Sequence, residues 1–231
     1  MNVAAASASA TLTADEIVVG TALGGQKYVL GGFSKAINLG TTGAGGMDTG
    51  SAPVSGFVGI YAIYNPTTGA SALLATNATA ARVPEVYGGS NMPSGYTASA
   101  LVSVAPTSGS GQFTALTQRD RSVAVVNRPI ISTSSGSSTP QPYTTTVFPK
   151  NAVRVKGYSS FTTGAASTVN AGIYADAAGS DQSTVGGTFT GAQGIAGSFD
   201  VLISQPQTIY YTLTSSSGAP SWGANCERYD F

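Results

Sequence analysis

The sequence contains no histidine and a single cysteine, Cys226. Without His the chain lacks the commonest general base at neutral pH, the usual transition-metal ligand and the middle member of a Ser-His-Asp relay. One thiol cannot make an intrachain disulfide, and it is too small a ligand set for structural zinc. Charge is scarce as well. Ten Lys or Arg stand against ten Asp or Glu, so 9% of the residues are charged where an ordinary domain has about 25%. A polar exterior must therefore be built mainly from Ser, Thr, Asn, Gln and Gly. The net charge is zero and the only basic cluster is Arg119-Asp120-Arg121, which gives no footprint for nucleic acid or an anionic membrane. No segment approaches the roughly 20 apolar residues of a membrane helix, and the opening Met1 to Thr13 has neither the cationic nor the apolar region of a signal peptide. No cofactor and no metal are expected.

What is present is a β pattern. Short apolar stretches alternate with Gly, Pro, Asn and Ser at about 8–15 residue spacing, the signature of a sandwich or jelly roll. The expected fold class is all-β, a jelly-roll-like β-sandwich. The clearest strand is Phe57 to Tyr64, followed by the turn sequence Asn65-Pro66-Thr67-Thr68-Gly69. Further strands are expected over Leu73-Leu74, 99–105, 112–117, 122–126, 144–148, 153–162, 169–175, 184–190, 198–204 and 208–214, with one weak helical turn near 71–81. Residues 1–16 read as an N-terminal arm, 17–131 as a first sandwich half, the Ser/Pro-rich stretch 132–142 as a linker and 143–231 as a second half. The halves echo one another, Gly59-Ile60-Tyr61-Ala62 against Gly172-Ile173-Tyr174-Ala175. Duplication and convergence on common strand composition both account for that echo.

Few motifs carry chemistry. Two acids flanking a scissile bond suffice for glycoside hydrolysis, yet none of the ten acids lies in a catalytic sequence context, and most sit in turns where a carboxylate caps local N–H groups. Asp176 and Asp181 bracket a loop that matches no calcium motif and reads as a solvated turn. Asn77-Ala78-Thr79 is a formal glycosylation acceptor best explained by chance. Aromatics set among Ser, Asn and Gly make adaptable recognition surfaces. On that ground Tyr87, Asn91 and Tyr96 in one loop, and Trp222 and Asn225 in another, are the candidate ligand-binding residues. The alternative for each loop is to fold over the end of a sandwich and bury its ring.

The strings TTGAGGMDTGSAPVSGFVGIYAIYNPTTGASALLATN (41–77) and YGGSNMPSGYTASALVSV (87–104) resemble a module of tail-fibre and related virion proteins from bacteriophages of Gram-negative bacteria. The likeness covers residues 15–128, and the remainder in general style only. It implies a virion protein made in the host cytoplasm, a homotrimer contacting other virion proteins and bacterial surface polysaccharide or protein, with no family active site to carry over. The module usually sits at the distal end of a longer fibre, whereas here it follows a short arm. A tail fibre or receptor-binding component is the leading expectation. A purely structural capsid or neck decoration protein and a polysaccharide-degrading spike are the alternatives.

Overall fold

The structure, a computed structural model, describes residues 1–231 and contains strands, turns and bends without an α-helix. It is all-β, with antiparallel sheets packed face to face in the manner of a β-sandwich. The chain divides into two compact units, Met1–Val123 with Pro149–Asn151, and Ala124–Phe148 with Ala152–Phe231.

The first unit holds β1 (Asn2–Val3), β2 (Ser9–Gly20), β3 (Lys27–Asn38), β4 (Phe57–Tyr64), β5 (Ser71–Asn77), β6 (Ala98–Pro106) and β7 (Leu116–Arg119). Five of these form one sheet in the order β3-β2-β6-β4-β5. β4 is a continuous apolar run because both of its faces are covered, the condition under which alternation disappears. On one face Val83 sits where a Cβ on Gly59 would come within 2.7 Å of it, and Tyr61 donates to the Pro84 carbonyl at 2.7 Å. The long connection from β5 to β6 thus acts as a lid on the sheet. Its anchor comes from far along the chain: the buried Asn151 amide accepts from the Val83 N–H (3.0 Å) and donates to its carbonyl (2.8 Å). Residues 45–48 hydrogen-bond to the outer edge of β5 and to Asn38 at the end of β3, so the sheet curls toward closure. The open seam is between β2 and β6, which pair only at Gly20 and Ser99. A groove of about 1510 Å³ follows that seam, lined by β2 and the Thr117–Arg121 turn.

The second unit is a sandwich of two sheets. It contains β8 (Ser122–Thr133, from Ala124 onward), β9 (Ser137–Thr144), β10 (Arg154–Thr163), β11 (Ser167–Tyr174), β12 (Ser183–Phe189), β13 (Gln193–Leu202), β14 (Thr208–Ser215) and β15 (Ser221–Asp230). One sheet runs β12-β11-β14-β9 and the other β8-β15-β10-β13. Aromatic pairs join the two layers: Tyr211 stacks on Trp222 at 5.4 Å, and Phe161 meets Phe189 edge-on at 5.5 Å. Val155, Phe161, Phe199, Val201, Val169 and Ile173 fill the space between the sheets.

Several expectations need correction. The expected arm 1–16 is β1 and most of β2, with Val3, Ala10 and Leu12 buried and β2 paired to β3 along its whole length. The expected linker 132–142 is the end of β8 and most of β9, which pairs with β14. β9 carries Pro140 and Pro142 because it is an edge strand, where a missing N–H breaks no ladder. The boundary between the units falls at Val123/Ala124 rather than in that stretch, and 149–151 returns to the first unit. The segment near 71–81 is strand β5 and turn, not helix, since its alanines pair with β4. Residues 145–148 lie outside any strand, with bends at 146–148, and 112–115 precede β7 without pairing as a strand. The Gly-Ile-Tyr-Ala echo falls on β4 and β11, an inner strand in each unit, but the strand orders around them differ.

Candidate functional site

Three of the five sequence candidates are structural or partly so. Tyr87 is buried, lies edge-on to Tyr61 at 5.4 Å, and donates from its hydroxyl to Asp48 Oδ2 at 2.8 Å. Burial, followed by that hydrogen bond and the Asp48 charge, pushes its phenol up to about 12. Tyr96 is half-buried in a turn closed by its own N–H to the Pro93 carbonyl. Trp222 is 1% exposed and points between the sheets of the second unit, so it cannot reach a ligand outside. Its place on β15 beside Ala224 and Cys226, all on one side of the strand, is the period-2 reason. Asn91 is exposed at the tip of its loop. Asn225 is half-buried on the opposite side of β15 from Trp222, facing outward.

Asn225 belongs to a surface that the sequence did not assemble. The register places Tyr158 of β10 between Ser198 of β13 and Asn225 of β15. Asn127 of β8 donates from Nδ2 to the Tyr158 hydroxyl at 2.9 Å. Strands lie about 4.8 Å apart, so a bond from β10 to β8 spans roughly 10 Å across the intervening β15. To reach that far the Tyr158 side chain must lean along the sheet instead of standing up from it. The next row on the same face is Ala196, Ser160 and Gly223, all small.

On the other side of Tyr158 the charges gather. Arg154, Lys156, Asp200, Glu227, Arg228 and Asp230 are six of the chain's twenty charged residues, three of each sign. Arg154 Nη1 meets Asp200 Oδ1 at 2.9 Å, Lys156 Nζ meets Asp200 Oδ2 at 3.3 Å and Asp230 Oδ2 at 3.8 Å. Lys156 pairs with Arg228 but Gly157 pairs with Cys226, so Glu227 is an extra residue, a β-bulge on β15. Bulges re-aim side chains, and this one sends Glu227 to the rim of a hollow of about 580 Å³ that Lys156, Asp200, Arg228, Ser183 and Ser198 also line. Gly157 is needed at the bulge: a Cβ there would lie 2.9 Å from the carbonyl carbon of Asn225.

The other motifs have structural roles. Asp176 Oδ1 accepts from the N–H groups of Ala178 (2.9 Å) and Ser180 (3.1 Å), and these bonds, Ser180 first, hold its carboxyl below the usual range. Asp181 Oδ2 accepts from the Leu202 N–H at 2.6 Å. The Arg119-Asp120-Arg121 cluster is the tight turn from β7 to β8, with Asp120 at φ 49°, and Arg121 grips both Glu85 oxygens at 2.9 Å. Thr79 of the formal glycosylation acceptor caps the start of β4 through a bond from the Phe57 N–H at 3.0 Å. No helix is long and apolar enough to cross a membrane.

What sequence reading missed is Tyr158 with Asn127 and Ser198, and the pairing of Asp200 with Glu227 around one hollow. The strand 153–162 was legible, and its alternation already puts Arg154, Lys156, Tyr158 and Ser160 on one face. The partners across β13, β15 and β8 depend on long-range register and left no local signal. No protein-family model matches the chain, and a search of curated proteins finds no match.

Proposed function

We propose that this chain is a structural protein of a tailed-bacteriophage virion, a tail-fibre or receptor-binding component that attaches the particle to its host without catalysis. The observation that carries this reading is the outer face of β8-β15-β10-β13, where hydroxyl and amide groups surround an aromatic ring and the neighbouring charges cancel. Such a face is built for contact with a host-surface polysaccharide or protein, since Tyr, Asn and Ser give adaptable recognition at low entropic cost. The likeness of 41–77 and 87–104 to tail-fibre modules supports the same assignment, as does a low-charge β exterior suited to packing against sibling copies in a homotrimer and against other virion proteins. Gold-labelled antibody on intact particles tests it. Label at the tail or fibre tips is the expected result, and label confined to the head shell would favour the decoration protein instead. Light scattering should report a trimer, and a stable monomer would count against the fibre arrangement.

One observation favours a second reading, a polysaccharide-degrading spike: Asp200 and Glu227 line the same hollow. Glycoside hydrolysis uses two carboxyl groups across the scissile bond. Here Asp200 is engaged by two cations, Arg154 and Lys156, which suits a fixed surface ion better than a nucleophile. Release of reducing sugar from host polysaccharide that is lost in Glu227→Gln would establish the spike reading.

A further inference from the structure

We infer that the row Ser198-Tyr158-Asn225 on the outer face of the second unit is a saccharide platform selective for an uncharged glycan, an inference that rests on the attachment reading for its biological setting but not for its chemistry. Three features on this face converge. First, the half-buried Tyr158 side chain reaches across β15 toward Asn127, and the row beside it is Ala196, Ser160 and Gly223, so no bulky side chain of that row stands against the ring. The face of an aromatic ring is electron-rich and attracts the weakly positive C–H groups of a sugar. Second, the polar groups around the ring have capacity left. The Tyr158 oxygen accepts from Asn127, so its own O–H remains to donate. The Asn225 amide and the Ser198 hydroxyl flank it one strand away on either side, and neither side chain makes a hydrogen bond within the protein. A sugar hydroxyl both donates and accepts, and it meets both kinds of partner here. Third, the adjacent charges balance, three basic against three acidic, with Arg154 and Lys156 held on Asp200 and Asp230, which leaves no net charge to draw an anionic or a cationic ligand.

The test compares wild type, Tyr158→Ala, Tyr158→Phe and Asn225→Ala of the full chain on an array of neutral, acidic and amino oligosaccharides, with circular dichroism and thermal midpoint confirming the fold of each variant. Wild type should retain neutral oligosaccharides. Tyr158→Ala should weaken that binding by about tenfold or more, as loss of an aromatic anchor does. Tyr158→Phe, which keeps the ring and removes the O–H, should fall between the two. Retention of acidic or amino oligosaccharides alone, retention of none, or neutral binding unchanged in a folded Tyr158→Ala would each overturn the inference. Adsorption of the same proteins to host cells separates it from the attachment reading. Cells bound equally by wild type and Tyr158→Ala would remove the platform and leave attachment standing, while array binding without cell binding would do the reverse.

Discussion

Gly157→Ala should be among the most damaging single-methyl additions in the second unit, and its size follows from the bulge geometry. The added carbon would lie 2.9 Å from the Asn225 carbonyl carbon and 3.2 Å from Phe199 Cε1, inside the oxygen's envelope, with no flexible side-chain end to yield. Comfortable carbon–carbon contact begins at about 3.5 Å, so β10 and β15 must part by at least several tenths of an ångström. Overpacking of this kind costs about 1–3 kcal/mol, and a ladder hydrogen bond broken at the bulge adds about 1–3 kcal/mol more. The sum, about 2–6 kcal/mol, is a large share of the roughly 5–15 kcal/mol that holds a domain folded. In a chain of this length it lowers the melting midpoint by roughly 4–24 °C. The control is Gly164→Ala in the β10–β11 turn, where a Cβ meets nothing within 4 Å and the backbone needs no positive φ. That variant should stay within about 1 kcal/mol of wild type. Calorimetry on the pair decides the matter: equal midpoints would refute the reasoning about close approach at the bulge.

Other outcomes follow from the same geometry. Asn151→Ala removes a buried amide that serves both backbone groups of Val83, and should destabilise the first unit by about 2–4 kcal/mol in urea titrations. Trp222→Phe keeps a ring against Tyr211 while deleting an indole N–H that has no partner, so it should change stability by less than about 1.5 kcal/mol, whereas Trp222→Ala should cost about 3–5 kcal/mol. Stability should decline in alkali. The folded Tyr87 phenol and Cys226 thiol both titrate at about 12, Cys226 raised chiefly by burial, while the unfolded groups titrate near 10 and 8.5. Between those limits the native state holds more protons than the unfolded one, so stability is full below about pH 8.5 and falls as pH rises toward 12. Melting midpoints against pH should show this fall, and Tyr87→Phe should make it shallower above pH 10.

Fold class was legible because β pairing writes itself into composition and turn chemistry. Phe57 to Tyr64 reads as a strand from its apolar run, and Asn65 to Gly69 reads as its hairpin turn, with Asn65 Oδ1 accepting from Thr67 at 3.0 Å. Strands built of small residues were harder. Ser9 to Leu12 alternates buried and exposed positions, but Ala and Thr carry too little contrast to announce it, and the edge strand β9 looks like a linker because Pro140 and Pro142 are tolerated where no ladder is broken. Site residues fared worst. Composition picked out Trp222 and Asn225 together, yet they are three apart on one strand and so face opposite ways. Tyr158 lay in a strand that was read correctly, and its role arises only when β8, β13 and β15 are brought beside it.

The most direct measurement is competition for adsorption: host cells are saturated with the purified chain and then challenged with virions. Fewer particles should attach as the protein concentration rises, and the Tyr158→Ala variant should compete less well than wild type. Undiminished attachment at concentrations where the chain itself coats the cells, or no coating at all, would contradict a role in host recognition.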